Sequence, residues 1–136
     1  MKPRSLLTAA AIYLAFLGTM MQLFPRLVFG LDANAPALLI ANFRVVGSSL
    51  LVIAIINWLA RHAEASRARD AIFLGTMVMF VFGAIGDFML SMMPGGDPIG
   101  FVFAFINLLF AIAFFVVGRA NMSTSAHLEL RSSSSS

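Results

Sequence analysis

The chain lacks cysteine altogether and is poor in charge: of its 136 residues only 11% are Asp, Glu, Lys or Arg, while 60% are hydrophobic. Without cysteine, disulfide bonds, thiolate metal sites and Cys-x-x-Cys redox chemistry are excluded. Soluble proteins average about 25% charged and roughly 45–50% apolar residues. The composition therefore excludes an ordinary water-soluble enzyme, and the length allows one domain at most.

Histidine is also scarce, and its two positions exclude several kinds of site. His62 falls in a polar loop and His127 near the C-terminus, so neither can ligate a haem or chlorophyll inside a membrane span. No group of His, Asp and Glu has the spacing of metal ligands. Ser48-Ser49 has no histidine base at its depth to activate a nucleophile. We therefore expect no catalytic residue, no metal and no cofactor.

What the sequence does contain is four long apolar segments. A helix needs about 20 apolar residues to cross a bilayer core of roughly 30 Å, and residues 6–24, 35–60, 71–93 and 99–118 meet that length. We predict an all-α fold, a bundle of four transmembrane helices, within a domain of residues 1–120.

Turn and cap residues mark the ends of these segments. Asn34 and Pro36 open the second span, and Asp97 and Pro98 open the fourth, in the order expected of a helix cap followed by a proline in the first turn. The turn over 94–98, which starts with Pro94-Gly95, is short. The third and fourth spans are therefore predicted to be antiparallel neighbours.

The two chain ends need separate interpretations. Lys2 and Arg4 make a basic start, but the long apolar run and the absence of a clear Ala-x-Ala site favour a retained signal anchor over a cleaved signal peptide. Residues 121–136 are polar and end in five serines, which predicts a disordered tail. That tail is either native or a sequence added for expression.

The basic residues are distributed unequally between the two sides of the predicted bundle. The side with both termini and the middle loop carries seven, against Arg26 alone on the other side: Lys2, Arg4, Arg61, Arg67, Arg69, Arg119 and Arg131. This bias predicts cytoplasmic termini, with Trp58 at the interface. It also indicates the lipid bilayer as the partner, and no nucleic acid, because the basic residues flank spans and form no stripe on a soluble face.

Two opposite charges interrupt the apolar segments. Arg44 lies 17 residues before Arg61, and Asp87 lies 17 residues after Asp70. At 1.5 Å per residue both sit roughly 25 Å from the cytoplasmic boundary. Because the second and third spans must be antiparallel, we predict that Arg44 and Asp87 meet as an intramembrane ion pair.

Other polar side chains fall at similar depth and complete a candidate cluster with that pair: Gln22, Asn42 and Asn107. Small residues such as Gly47, Gly83 and Ala104 lie on the same helix faces, which favours close helix packing. The cluster has two interpretations. It holds the helices together, or it lines an outward-facing polar cavity that binds an anion, a proton or a polar head group.

The pattern over residues 6–118 resembles small bacterial four-span proteins of the DoxX-like and unknown-function type. The motifs that carry the resemblance are Leu23-Phe24-Pro25, Arg44 with Gly47, Trp58 with Arg61, and Gly83 with Asp87. The resemblance implies a four-helix bundle in a bacterial inner membrane, and it implies no settled activity.

Two functional hypotheses follow. The first is an accessory, scaffolding or partner-binding membrane subunit without catalytic activity, which works as a homo-oligomer or in a larger membrane complex. The second is a small-solute or ion-coupled transporter or binder whose charged centre is Arg44 and Asp87.

Overall fold

The computed structural model describes residues 2–93 and 96–133, with side chains described as far as residue 120. It contains five helices: α1 (Pro3–Leu23), α2 (Pro25–Val28), α3 (Ala37–Ala60), α4 (Arg67–Met92) and α5 (Ile99–Ser133). Four segments are long and apolar enough to cross a membrane, namely α1, α3, α4 and the Ile99–Ala120 part of α5. The prediction of an all-α chain with four helices long and apolar enough to cross a membrane is confirmed.

Of the two predicted helix caps, the structure contains one. Asp97 Oδ1 accepts a hydrogen bond of 2.9 Å from the backbone N–H of Ile99, so the predicted cap of the last span is present. The prediction for Asn34 is wrong, because Pro36 takes the N-cap position of α3 and no side chain caps that end. The short helix α2 was not predicted. Pro25 starts it, since a proline at the first helical position loses no intrahelical hydrogen bond.

Two predictions concern residues that the structure describes only in part or not at all. Pro94-Gly95, the predicted stop of the third span, lies outside the described residues. The backbone of α5 continues to Ser133, past the predicted end of the domain at residue 120. The side chains of 121–136 lie outside the described residues, and the disorder of this tail stays a prediction.

The helices pack as two antiparallel pairs, α1 with α3 and α4 with α5, and contacts between the pairs are few. The first pair approaches most closely at two glycines. A Cβ on Gly18 would lie 2.8 Å from the carbonyl oxygen of Gly47, and a Cβ on Gly47 would lie 2.9 Å from that of Gly18. The backbones therefore touch where neither helix has a side chain.

The second pair is joined along stripes with a spacing of three and four residues. On α4 the stripe comprises Phe73, Thr76, Phe80, Gly83 and Asp87, and on α5 it comprises Gly100, Ala104, Asn107, Ala111 and Phe114. This spacing is typical of helices that cross at about 20°. Gly83 faces Asn107 while Gly118 faces Phe73, so the order of contacts is reversed and the helices are antiparallel neighbours, as predicted.

Helix α1 connects the pairs. Its residues Leu6, Leu7, Ala10 and Leu14 are each at most 1% exposed. Tyr13 stacks on Phe110 of α5 with ring centroids 5.2 Å apart. Helix α1 thus contributes buried apolar residues to the core that it shares with α3, α4 and α5.

Helices α3 and α4 meet chiefly through one buried polar contact. Thr76 Oγ1 donates a 3.2 Å hydrogen bond to Asn57 Oδ1, and the Asn57 amide donates to the Ile53 carbonyl oxygen at 3.0 Å. Both side chains are buried, and Asn57 is 0% exposed. Their polar groups are therefore satisfied without water, as a low-dielectric interior requires.

Candidate functional site: two cavities that meet at Asp87

A chain of three polar side chains links α1, α5 and α4 in the middle of the bundle. Tyr13 Oη donates to Asn107 Oδ1 at 3.4 Å, and Asn107 Nδ2 donates to Asp87 Oδ2 at 2.8 Å. The side-chain carbonyl of Asn107 thus accepts from Tyr13, and its NH₂ group donates to the Asp87 carboxylate. Its donor role fixes the orientation of Asp87, since a carboxylate can only accept hydrogen bonds.

The local packing explains why Asn107 can reach Asp87. Asn107 is 8% exposed and lies opposite Gly83, one helical turn before Asp87 on α4. A Cβ at position 83 would come within 3.1 Å of Asn107 Nδ2. The missing side chain at Gly83 therefore leaves the space that the amide occupies.

An inner cavity of about 140 Å³ lies beside this chain. Its lining comes from all four long helices and from Val28 and Phe29 after the first span, and is apolar except for Asp87 and Asn107. An engineered apolar cavity of about 150 Å³ binds benzene. The inner cavity can therefore hold an apolar group about the size of one ring.

A larger cavity of about 620 Å³ opens at the end of the bundle where α1 and α4 finish. We call it the end cavity. Its acidic side chains are Asp32, Asp87 and Asp97, and none of its described lining residues is Lys, Arg or His. Phe43 of α3 contributes an aromatic face to the same space. The end cavity thus combines negative charge with aromatic surface, the two features that attract an organic cation.

Three residues line both cavities and separate them: Phe29, Asp87 and Phe103. The Phe29 ring is held in place by stacking on Phe43, with centroids 3.7 Å apart and an interplanar angle of 14°. The Asp87 carboxylate therefore lies at the junction of the two cavities, together with two aromatic rings.

The turn after Phe29 closes the end cavity. Gly30 has a φ of +57°, a conformation that favours glycine, and a Cβ there would lie 2.7 Å from Asp97 Oδ2. Glycine at this position thus permits both the turn and the approach of the Asp97 carboxylate.

The predicted ion pair between Arg44 and Asp87 does not form among the described residues. Asp87 bonds to Asn107, whereas Arg44 lines a separate groove with Arg26 and the end of α1. The physical reason is rotation about the helix axis. Equal depth sets the height of two side chains, but their direction depends on which helix face is packed, and α3 turns its packed face, with Gly47, toward α1.

The other predicted members of the cluster also separate. Gln22 Nε2 donates to the backbone carbonyl oxygen of Arg44 at 2.8 Å and to Ser48 Oγ, so it ties α1 to α3 and lies apart from the Asp87 carboxylate. Asn42 is exposed on α3 and lines neither cavity at Asp87. The five predicted residues therefore do not form one cluster: Asn107 bonds to Asp87, and Gln22 bonds to the backbone of Arg44.

Several lining residues escaped the sequence analysis. Asp32 lies in a loop and carried no signal beyond its charge, and Asp97 was identified only as a helix cap. Phe29 and Phe103 belong to a chain with 14 phenylalanines, in which no pattern sets them apart. Their role depends on three-dimensional packing and not on spacing.

The site offers carboxylate and amide groups, and the described residues contain no group of three or more His, Cys, Asp or Glu that could hold a metal ion. The arrangement therefore has the groups needed to pair with a cation or a proton at Asp87, with a mainly apolar lining in the inner cavity and aromatic rings in the end cavity. Comparisons with protein-family models, curated proteins and solved structures find no match to the chain.

Proposed function

We propose that this multi-pass membrane protein binds a small organic cation at Asp87, with an apolar group about the size of one ring in the inner cavity. The observation that carries the proposal is the position of Asp87, which lines both cavities and is oriented by Asn107. An ammonium group at this junction would meet a carboxylate and aromatic rings together.

Charge selection is the main support for a cation. The ionisable side chains that line the end cavity are carboxylates, while Arg26 and Arg44 line a groove elsewhere. An anion would approach acidic groups without a cation to compensate them, and the low local dielectric would increase that repulsion. We therefore no longer propose an anion as the ligand of the cavity, and we keep the proposal that the cavity binds a small solute or a proton.

The proposal includes a membrane orientation. The end cavity faces the exterior and both termini face the cytoplasm of a bacterial inner membrane, because the basic residues gather at the opposite end. The resemblance to DoxX-like proteins supports this location. Both the resemblance and the location stay predictions.

Calorimetric titration in an uncharged maltoside detergent tests the binding site. Benzylammonium, benzyl alcohol and benzoate carry the same ring with positive, zero and negative charge. We expect benzylammonium to bind at least about ten-fold more tightly than the alcohol, since hydrogen bonds to charged groups contribute roughly 1.5–3 kcal/mol. Asp87→Asn removes that preference, and Asp70→Asn, at the start of the same helix, retains it. Equal binding of all three compounds, or no effect of Asp87→Asn, contradicts the proposal.

A second candidate is the accessory or scaffolding subunit, assembled with itself or in a larger membrane complex. It is favoured by the sparse contact between the two helix pairs, which leaves stabilisation of the bundle to its surroundings. Uptake of benzylammonium into vesicles that contain the protein separates the candidates. Flux that depends on Asp87 supports a transporter, whereas a scaffold gives neither flux nor cation binding.

A further inference from the structure

Arg44 is a charged residue within a membrane-spanning helix that the protein leaves without a partner. It is the eighth residue of α3 and is exposed, and no hydrogen bond or ion pair of its guanidinium joins it to another described residue. Its backbone carbonyl alone is used, as the acceptor from Gln22. The partner predicted from the sequence, Asp87, is engaged elsewhere.

A cation in this position is stabilised by an anion from outside the chain or by access to the membrane interface. Charged side chains within spans cost several kcal/mol unless they pair or reach the interface. Seven residues separate Arg44 from the start of α3, which corresponds to about 10 Å along the axis. This is close enough for an arginine side chain to extend toward the head-group layer.

The surroundings of Arg44 identify the kind of anion. A groove of about 370 Å³ holds Arg44 and Arg26, and no acidic residue is among its described lining residues. The apolar part of the groove includes Leu23 and Leu27, which are 63% and 72% exposed. Two guanidinium groups beside exposed leucines match a phosphate attached to acyl chains, because arginine binds phosphate through paired hydrogen bonds.

We infer that Arg26 and Arg44 bind the phosphate of a membrane phospholipid, whose acyl chains cover Leu23 and Leu27. The exposed leucines favour a lipid over free phosphate, since inorganic phosphate would leave them uncovered. This site is distinct from the cation site at Asp87, because the groove shares no described lining residue with either cavity.

Native mass spectrometry of the delipidated protein in maltoside tests the inference. The probes are dioleoyl phosphatidylglycerol, dioleoyl phosphatidylcholine, dioleoylglycerol without phosphate, and inorganic phosphate. We expect both phospholipids to be retained and dioleoylglycerol to be lost at equal concentration. Inorganic phosphate should not displace the bound phospholipid. Retention of dioleoylglycerol, or displacement by inorganic phosphate, overturns the inference.

Variants locate the bound phosphate. Arg26→Gln and Arg44→Gln should each weaken phosphatidylglycerol binding, and the double variant should weaken it roughly ten-fold or more. Arg119→Gln, which removes an exposed arginine near the other end of the bundle, is the matched control and should bind as the unmodified protein does. The Arg26 side chain is exposed on the short helix α2, so its single variant remains informative if substitution of Arg44 impairs folding. Equal loss in Arg119→Gln, or full binding by the double variant, contradicts the site.

Discussion

Asn107 holds the Asp87 carboxylate by a 2.8 Å hydrogen bond across the α4–α5 interface, and this bond takes the place of the ion pair that the sequence predicted for Asp87. The consequence reaches beyond the pair itself. Because a neutral amide orients the carboxylate, its negative charge is available to the cation that we propose. Because Arg44 does not pair with Asp87, its positive charge is available to the phospholipid that we infer.

The glycine contact between α1 and α3 leads to the first prediction. Replacing Gly18 with Ala places a Cβ 2.8 Å from the Gly47 carbonyl oxygen, so the helices must separate. We expect a loss of about 1–3 kcal/mol in the free energy of unfolding, measured by titration with dodecyl sulfate in mixed micelles.

Two glycines on α4 provide the control for that substitution. Gly75 and Gly86 have no other atoms within 4 Å of a built Cβ. Gly75→Ala and Gly86→Ala should therefore leave stability unchanged or raise it by up to about 1 kcal/mol, as helix propensity favours. If Gly18→Ala were as stable as these two variants, the close contact of α1 with α3 would be disproved.

The buried contact between Asn57 and Thr76 leads to the second prediction. Thr76→Val keeps the shape of the side chain but removes the hydroxyl that bonds to Asn57 Oδ1. Since interhelical hydrogen bonds in membranes contribute about 0.6–1.7 kcal/mol, we expect a loss in this range in the same unfolding titration. Thr19→Val, at an exposed position of α1, should cost less. An equal effect at both positions would argue against the contact between α3 and α4.

The loop between α3 and α4 leads to a prediction on pH. The nearby positive charge of Arg4 is the main cause that lowers the pKa of His62 below its usual 6.5, with smaller contributions from burial and Arg61. Because the folded chain binds this proton less tightly than the unfolded chain, His62 favours folding above pH 6.5, and this contribution declines as the pH falls below that value.

Nuclear magnetic resonance of the imidazole measures this shift. In a chain with His127→Gln, so that one imidazole remains, the His62 signal should titrate with a midpoint below 6.5. Addition of Arg4→Gln should move the midpoint upward, because it removes the largest cause of the shift. A midpoint that does not respond to Arg4→Gln would show that the two residues are not neighbours.

The sequence predicted the fold well because hydropathy and length determine which segments enter a bilayer. All four spans were found, and Gly83 and Ala104 correctly placed Asp87 and Asn107 on packed faces, since small residues mark close helix contacts. The sequence predicted the depth of Arg44 in the membrane, but not the direction in which its side chain leaves the axis of α3. Gly47 and Arg44 are three residues apart, as Ala104 and Asn107 are, so the spacing alone could not show that Gly47 is buried while Arg44 is exposed.

The cavities lay beyond the sequence for a different reason. A cavity is the space that packed side chains leave empty. Its position and size therefore depend on the packing of several helices together. Phe29 follows the first span and Phe103 lies in the last, yet they meet at Asp87. The connection between α3 and α4 was likewise assigned to Arg44 with Asp87, whereas Asn57 and Thr76 make it.

The central claim is that Arg44 and Asp87 serve two separate sites, and a double-mutant cycle tests it most directly. The free energy of unfolding is measured for the unmodified chain, Arg44→Gln, Asp87→Asn and the double variant, and each is titrated with benzylammonium and with phosphatidylglycerol. We predict stability effects that add within about 0.5 kcal/mol, cation binding that is lost in Asp87→Asn and kept in Arg44→Gln, and phospholipid binding that is weakened by Arg44→Gln and unchanged by Asp87→Asn. A coupling energy of about 1 kcal/mol or more, with both binding activities lost in either single variant, would restore the ion pair and contradict the account.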